Sequence, residues 1–265
     1  MLALIAALSL SPFYANVAPE VRSTYVSLGK IVEDRPMQVT SLRFGLDTAK
    51  VWDELDLGRF GVRGFSVSSL TDRRHDVHRH CLYHYEFGPC WDYDVRFSED
   101  WKLKTSLTRS WTLYRGFFKE ASNATYHWWE FGTSLENPYV VPFSRVRRCF
   151  RGSDYLWFRL GLRRRFALWH DLYLTPSIAV DGGNARNFNR VIGKFPDGGW
   201  GHGGVSSITF GLELGWKFCA NASVFAFVEQ YEIVGGTARD MNEASDYVAA
   251  HNDWTLGGVG VRMNF

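Results

Sequence analysis

Trp254-Thr255-Leu256-Gly257-Gly258-Val259-Gly260-Val261-Arg262-Met263-Asn264-Phe265 is the stretch from which the fold is read. Counting back from the end, Phe265, Met263, Val261, Val259 and Gly257 share one parity. Asn264, Arg262, Gly260, Gly258 and Leu256 share the other. Successive strand side chains point to opposite faces, so the segment predicts a strand with one apolar face and one small or polar face. It stops on an aromatic ring with no charged tail, as suits a strand whose apolar face meets lipid and whose last ring sits at an interface.

The bulk numbers agree with a strand-built membrane protein. A chain of 265 residues holds one closed barrel or one to two ordinary domains. Its net charge of +2 argues against a dedicated nucleic-acid binder, so no nucleic-acid partner is expected. Aromatic residues make up 16% and glycine contributes 25 positions, yet only 46% of residues are hydrophobic. That balance suits a barrel, in which only every second residue faces lipid. Beyond the N-terminus no apolar run is long enough for a membrane helix. The first fifteen residues, MLALIAALSLSPFYA, are uncharged and mostly apolar. They predict a secretory signal peptide over 1–15, with Ala15 or Ala18 at the cut, followed by one domain over 19–265.

Alternating segments fill the rest: 21–31, 39–47, 59–70, 82–97, 102–114, 125–135, 139–149, 156–168, 172–180, 205–218, 224–234 and the final strand. The clearest is 82–97, where Tyr83, Tyr85, Phe87, Trp91, Tyr93 and Val95 oppose His84, Glu86, Gly88, Asp92, Asp94 and Arg96. Aromatics on one face and charges on the other fit a transmembrane strand better than a soluble sandwich, whose outer face is polar. Arg109 shares the apolar parity of Leu107 and Trp111 and would face lipid. Connections near Ser98, Asn137, Trp169 and Asn221 are short, whereas those near Arg73, Lys119, Asn187 and Ala238 are longer. Short and long mostly alternate, as the two rims of a barrel require, with the short turn near Asp34 and the long stretch from Thr48 to Leu57 out of step. The expected fold is all-β: a single closed antiparallel transmembrane β-barrel of about twelve strands.

The last strand resembles the C-terminal strand of bacterial outer-membrane β-barrel proteins. Gly258, Gly260, Met263 and Phe265 fill that pattern, with Met263 where an aromatic residue is more usual. The resemblance implies outer-membrane lipid and the barrel assembly machinery as partners, the bacterial outer membrane as location, and no cofactor. The expected role is a passive channel or a structural surface barrel; a barrel hydrolase of lipid or peptide is the alternative.

The inward parity then supplies the candidate site. It gathers Arg43; His84, Glu86, Asp92, Asp94 and Arg96 on one strand; Glu130; Arg159, Arg163 and Arg165; Glu213 and Lys217; and Arg262. One wall is acidic and another basic. These charges either pair across a narrow interior and lock the barrel, or line a water-filled pore that favours anions. No catalytic residue is singled out. For a hydrolase, Ser110, Ser206, Ser207 and His202 are the groups to weigh, and Asp92 with Asp94 for a protease. The loop cluster His75, His78, His80 and Cys81 matches no closed zinc spacing and reads as a solvated surface, so no metal is expected. The four cysteines are read as free, buried thiols.

Overall fold

The computed structural model describes residues 12–27, 30–33, 36–52, 56–70, 83–115, 125–151, 154–187, 202–234, 238–240 and 252–265. The chain forms β1 (Phe13–Arg22), β2 (Tyr25–Ser27), β3 (Lys30–Glu33), β4 (Met37–Asp47), β5 (Arg59–Ser69), β6 (Tyr83–Arg96), β7 (Lys102–Arg115) and β8 (Thr125–Glu136). It continues through β9 (Val141–Arg151), β10 (Leu156–Arg163), β11 (Phe166–Trp169), β12 (Leu172–Gly183), β13 (Gly204–Cys219), β14 (Ala222–Ile233) and β15 (Asp253–Asn264). Among the described residues no helix is long and apolar enough to cross a membrane, which leaves strand spans open.

The sheet closes on itself. β1 pairs with both β4 and β15, and β10 pairs with both β9 and β12, every contact being antiparallel. The ring therefore runs β1, β4 to β10, and β12 to β15, twelve strands in all. The seam between first and last strands is held by Ala15 N–H donating to the Phe265 carbonyl (3.0 Å) and Phe265 N–H to the Ala15 carbonyl (2.8 Å). Closure leaves the twelve-strand ring without a first and a last edge, which is what lets a sheet sit in hydrocarbon.

Side-chain alternation gives the ring two unlike faces. Leu42, Phe44, Phe87, Phe131, Leu160, Phe210, Leu212, Leu214 and Trp216 all point outward, and Phe44 and Trp216 each keep 52% of their surface exposed. In a water-soluble domain such an apolar belt would be an aggregation surface, whereas in a bilayer it is the lipid contact. Their neighbours of opposite parity, such as His84, Glu86, Asp92 and Glu130, are buried. A lipid-facing girdle and a polar inside follow from one period-two pattern.

Gly258 and Gly260 lie on the inner face of β15 for a packing reason. A Cβ at Gly258 would meet the Val21 carbonyl oxygen at 2.5 Å and the Phe227 ring at 2.6 Å. At Gly260 it would meet the Phe225 ring at 2.6 Å. The two inward phenylalanines of β14 lie over the glycines of β15, so larger residues there would push the rings or the neighbouring β1 backbone away.

Two boundaries differ from the sequence reading. The first ring strand is Phe13–Arg22, not 21–31, and residues 25–27 and 30–33 pair as a separate two-stranded hairpin. Small residues and Pro19 give Phe13–Arg22 little amphipathic contrast, and an apolar leader-like run precedes it. Residues 1–11, the bulk of the expected signal peptide, lie outside the described residues. The segment 156–168 is divided at Arg164 and Arg165. Pro176, which faces Arg164 on β12, has no N–H to give, so the ladder keeps only the Arg164 N–H bond to the Pro176 carbonyl (3.2 Å). Beyond it β11 pairs with β12 alone and stands outside the ring.

The rims are defined by the termini. The connections around Ser98, Asn137, His170 and Asn221 lie on the rim that carries both ends of the ring, together with a 3-10 turn at Thr48–Lys50. The longer connections meet the opposite rim. The histidine-rich loop with Cys81 lies outside the described residues, as do most of the two long loops. Among the described residues no disulfide forms; Cys90 and Cys149 are buried and Cys219 is exposed.

Candidate functional site

The interior divides along the barrel axis into an open chamber and a packed layer. The chamber is a cavity of about 1070 Å³ that takes lining residues from all twelve ring strands. Asn137, Pro138 and Tyr139 border it, so it reaches the rim that carries the termini. Arg43, Asp92, Asp94, Arg159, Arg163, Arg165, Glu213 and Arg262 all line it.

Most of these charges are paired, and several pairs skip a strand. Arg43 on β4 binds Asp92 on β6 across β5. Asp94 accepts from Lys102 (2.7 Å) and lies 3.5 Å from Arg59. Arg262 grips Glu213 through two bonds of 2.7 and 2.6 Å across β14, a bidentate geometry that favours arginine over lysine. Glu136 accepts from Arg163 at 3.0 Å and lies 3.4 Å from Lys104. Aromatic faces hold the guanidiniums in place: Arg262 lies 3.9 Å from the Phe225 ring centre and Arg165 lies 4.1 Å from that of Tyr173.

The basic wall is less well neutralised. Arg145 and Arg159 sit directly opposite each other on β9 and β10, an arrangement of like charges that destabilises a ladder unless something compensates. Arg159 comes only to 3.9 Å from Asp181. Arg145 has no ion pair among the described residues.

The packed layer lies beyond the chamber, toward the opposite rim. Every ring strand from β4 round to β15 contributes a residue near that end: Met37, Val67, His84, Thr112, Trp128, Cys149, Trp157, Asp181, Ser207, Tyr231 and Leu256. None is more than 6% exposed. His84, Glu86 and Glu130, three of the candidate residues, belong here rather than to the chamber. His84 Nε2 lies 2.9 Å from Glu86 Oε1. Arg147 donates to Glu130 at 2.8 and 3.1 Å and lies 3.4 Å from Glu86, while Arg63 reaches Glu130 at 3.1 Å. The Arg147 guanidinium stacks 3.8 Å from the Trp128 ring centre, and Trp128 donates its indole N–H to Thr112. Buried charges need such partners.

Arg96 and Lys217 lie near the terminal-rim ends of β6 and β13 and are exposed. The hydrolase candidates Ser110, Ser206 and Ser207 are 1%, 1% and 0% exposed. Asp92 and Asp94 are each held by cations. Among the described residues no group of three metal-ligating side chains forms.

Sequence reasoning missed Arg59, Arg63, Arg145, Arg147 and Asp181. In β9, Arg148 on the outer parity made the strand read as evenly basic and hid the inward pair Arg145 and Arg147. Asp181 read as the first residue of a loop, whereas β12 continues to Gly183.

No family model matches the chain, and no curated protein matches it. Solved structures do. An outer membrane channel from Pseudomonas putida F1 aligns at TM-score 0.52 and 8% identity, over 96% of this chain and 95% of that one. The KdgM porin aligns at TM-score 0.43 and 12% identity, over 95% and 99%. The Pseudomonas putida OprB structure aligns at TM-score 0.43 and 7% identity, over 99% and 96%. The chain thus has the fold of bacterial outer-membrane β-barrels. Its closed twelve-strand ring and apolar belt are those of an integral protein of that membrane.

Proposed function

We propose that the chain is a passive, porin-like channel of the outer membrane with a mixed-charge lumen. One observation carries the reading: a cavity of about 1070 Å³ inside the ring, lined by arginines and carboxylates and reaching one rim. A barrel that served only as a structural element would gain nothing from an unfilled, charged chamber, because desolvated charges destabilise a core that has no water. The outer belt meets outer-membrane lipid, and the terminal strand with Gly258, Gly260, Met263 and Phe265 engages the barrel assembly machinery. The packed layer favours a second reading, a structural surface barrel. Planar-bilayer recording of the purified protein decides between them. Stable unitary currents, with an ion preference altered in Arg159→Ala, are expected; a silent membrane with folded protein present would overturn the channel.

A further inference from the structure

The packed layer is not uniform. On β4, β5 and β15 it is apolar, through Met37, Val67 and Leu256. On β6, β8 and β9 it is ion-paired, through Glu86, Glu130 and Arg147. On β10, β12 and β13 it is polar and unsatisfied. Among the described residues the Ser206, Ser207 and Thr209 hydroxyls are buried without a hydrogen-bond partner, and the buried Asp181 carboxylate has only Arg159 at 3.9 Å and the Trp157 indole beside it. Asp181 pairs in register with Arg159 on one side and Ser207 on the other, and Thr209 lies one inward position further along β13. Opposed strand residues hold their Cβ atoms about 5 Å apart, so these groups form one patch.

A buried polar atom without a partner is a standing free-energy cost, removed when water reaches it. This patch is therefore the part of the layer that gains most by parting. Two further observations agree. The register shifts between Asp181 and Gly182, and such a bulge weakens the ladder locally. Arg159 and Tyr231 also line the chamber, so the chamber adjoins this sector.

We infer that the passage through the layer runs along the β10–β12–β13 sector, with the Arg159–Asp181 contact as its narrow point, and that it carries water and small ions. This rests on the channel reading, but its test does not require current. Cysteines are placed in the sector (Ser207→Cys, Thr209→Cys), in the chamber (Ser177→Cys) and in the apolar sector (Val67→Cys). The protein, reconstituted in phosphatidylcholine vesicles, is treated with a charged methanethiosulfonate, and modification of each site is followed by peptide mass spectrometry. Modification at Ser207→Cys and Thr209→Cys within about tenfold of Ser177→Cys, with Val67→Cys about a hundredfold slower, supports the route. Sector sites as slow as Val67→Cys, or Val67→Cys as fast as the sector, overturn it. Should both sector variants fail to fold, Asp181→Asn serves instead: a shift of reversal potential toward anions is expected, and an unchanged one counts against the route. Silent bilayers with labelled sector sites refute the channel and ion passage with it, leaving only entry of water to the sector; normal currents with unlabelled sector sites refute the route and leave the channel.

Discussion

Arg147 is the keystone of the ion-paired side of the layer, and its removal has a calculable consequence. Replacing it by Met keeps most of the stem volume but strips the guanidinium from Glu130 at 2.8 Å, Glu86 at 3.4 Å and the Trp128 face at 3.8 Å. Glu130 retains Arg63 at 3.1 Å and Glu86 retains His84 at 2.9 Å. Breaking a buried pair by deleting one partner costs about 3–5 kcal/mol, mostly because a charge is left buried and uncompensated. We therefore expect Arg147→Met to destabilise the barrel by about 3–5 kcal/mol. If uncompensated charge is the cause, adding Glu86→Gln, which leaves Glu130 paired with Arg63, restores at least about half of that loss. Urea unfolding in detergent micelles, followed by tryptophan fluorescence and by heat-modifiable gel mobility, measures both. A loss below about 1 kcal/mol in the single variant, or a double variant no better than the single, refutes the electrostatic account.

Arg109 projects from the middle of β7 on the lipid face, between the rings of Trp111 (5.3 Å) and Trp129 (5.7 Å). A lipid-facing cation near the midplane costs about 2–4 kcal/mol and the ring contacts offset only part, so Arg109→Leu should raise stability by about 1–3 kcal/mol in the same unfolding assay. Gly258→Val should hinder closure, because its side chain meets the Val21 carbonyl and the Phe227 ring; slower appearance of the heat-modifiable form in vesicles would register it. Deleting Phe265 removes both hydrogen bonds to Ala15 and should lower the assembled fraction several-fold in outer-membrane preparations. Processing after Ala15 would leave only Asn16–Arg22 of β1, short of the nine to eleven residues or so that a spanning strand needs, so intact-mass analysis should find Phe13 in the mature chain.

How far the fold could be read from sequence depended on contrast between neighbouring residues. Where aromatics alternate with charges, as in Tyr85–Glu86–Phe87, each face announces its solvent, and the twelve-strand ring and its alternating rims follow. Where the outward residues are small, as with Ala15, Val17 and Pro19 in β1, period two carries no signal and the strand was displaced by eight residues or so. The interior was harder. Parity says that a side chain points inward, but not how far along the axis it lies or what reaches it from a non-adjacent strand. Asp92 and Glu130 read alike in sequence; Arg43 reaches the first in the chamber and Arg63 and Arg147 clamp the second in the layer. Those contacts depend on the tilt and stagger of the ring, which belong to no single segment.

The two hydrogen bonds between Ala15 and Phe265 have a kinetic meaning. They join distant parts of the polypeptide, so the cylinder cannot be finished until β15 has been delivered, and any earlier stage presents two raw edges to its surroundings. A nascent molecule of this design must be sheltered at β1 while the remaining strands are added, and a chain that lacks β15 is left as an unclosed ribbon.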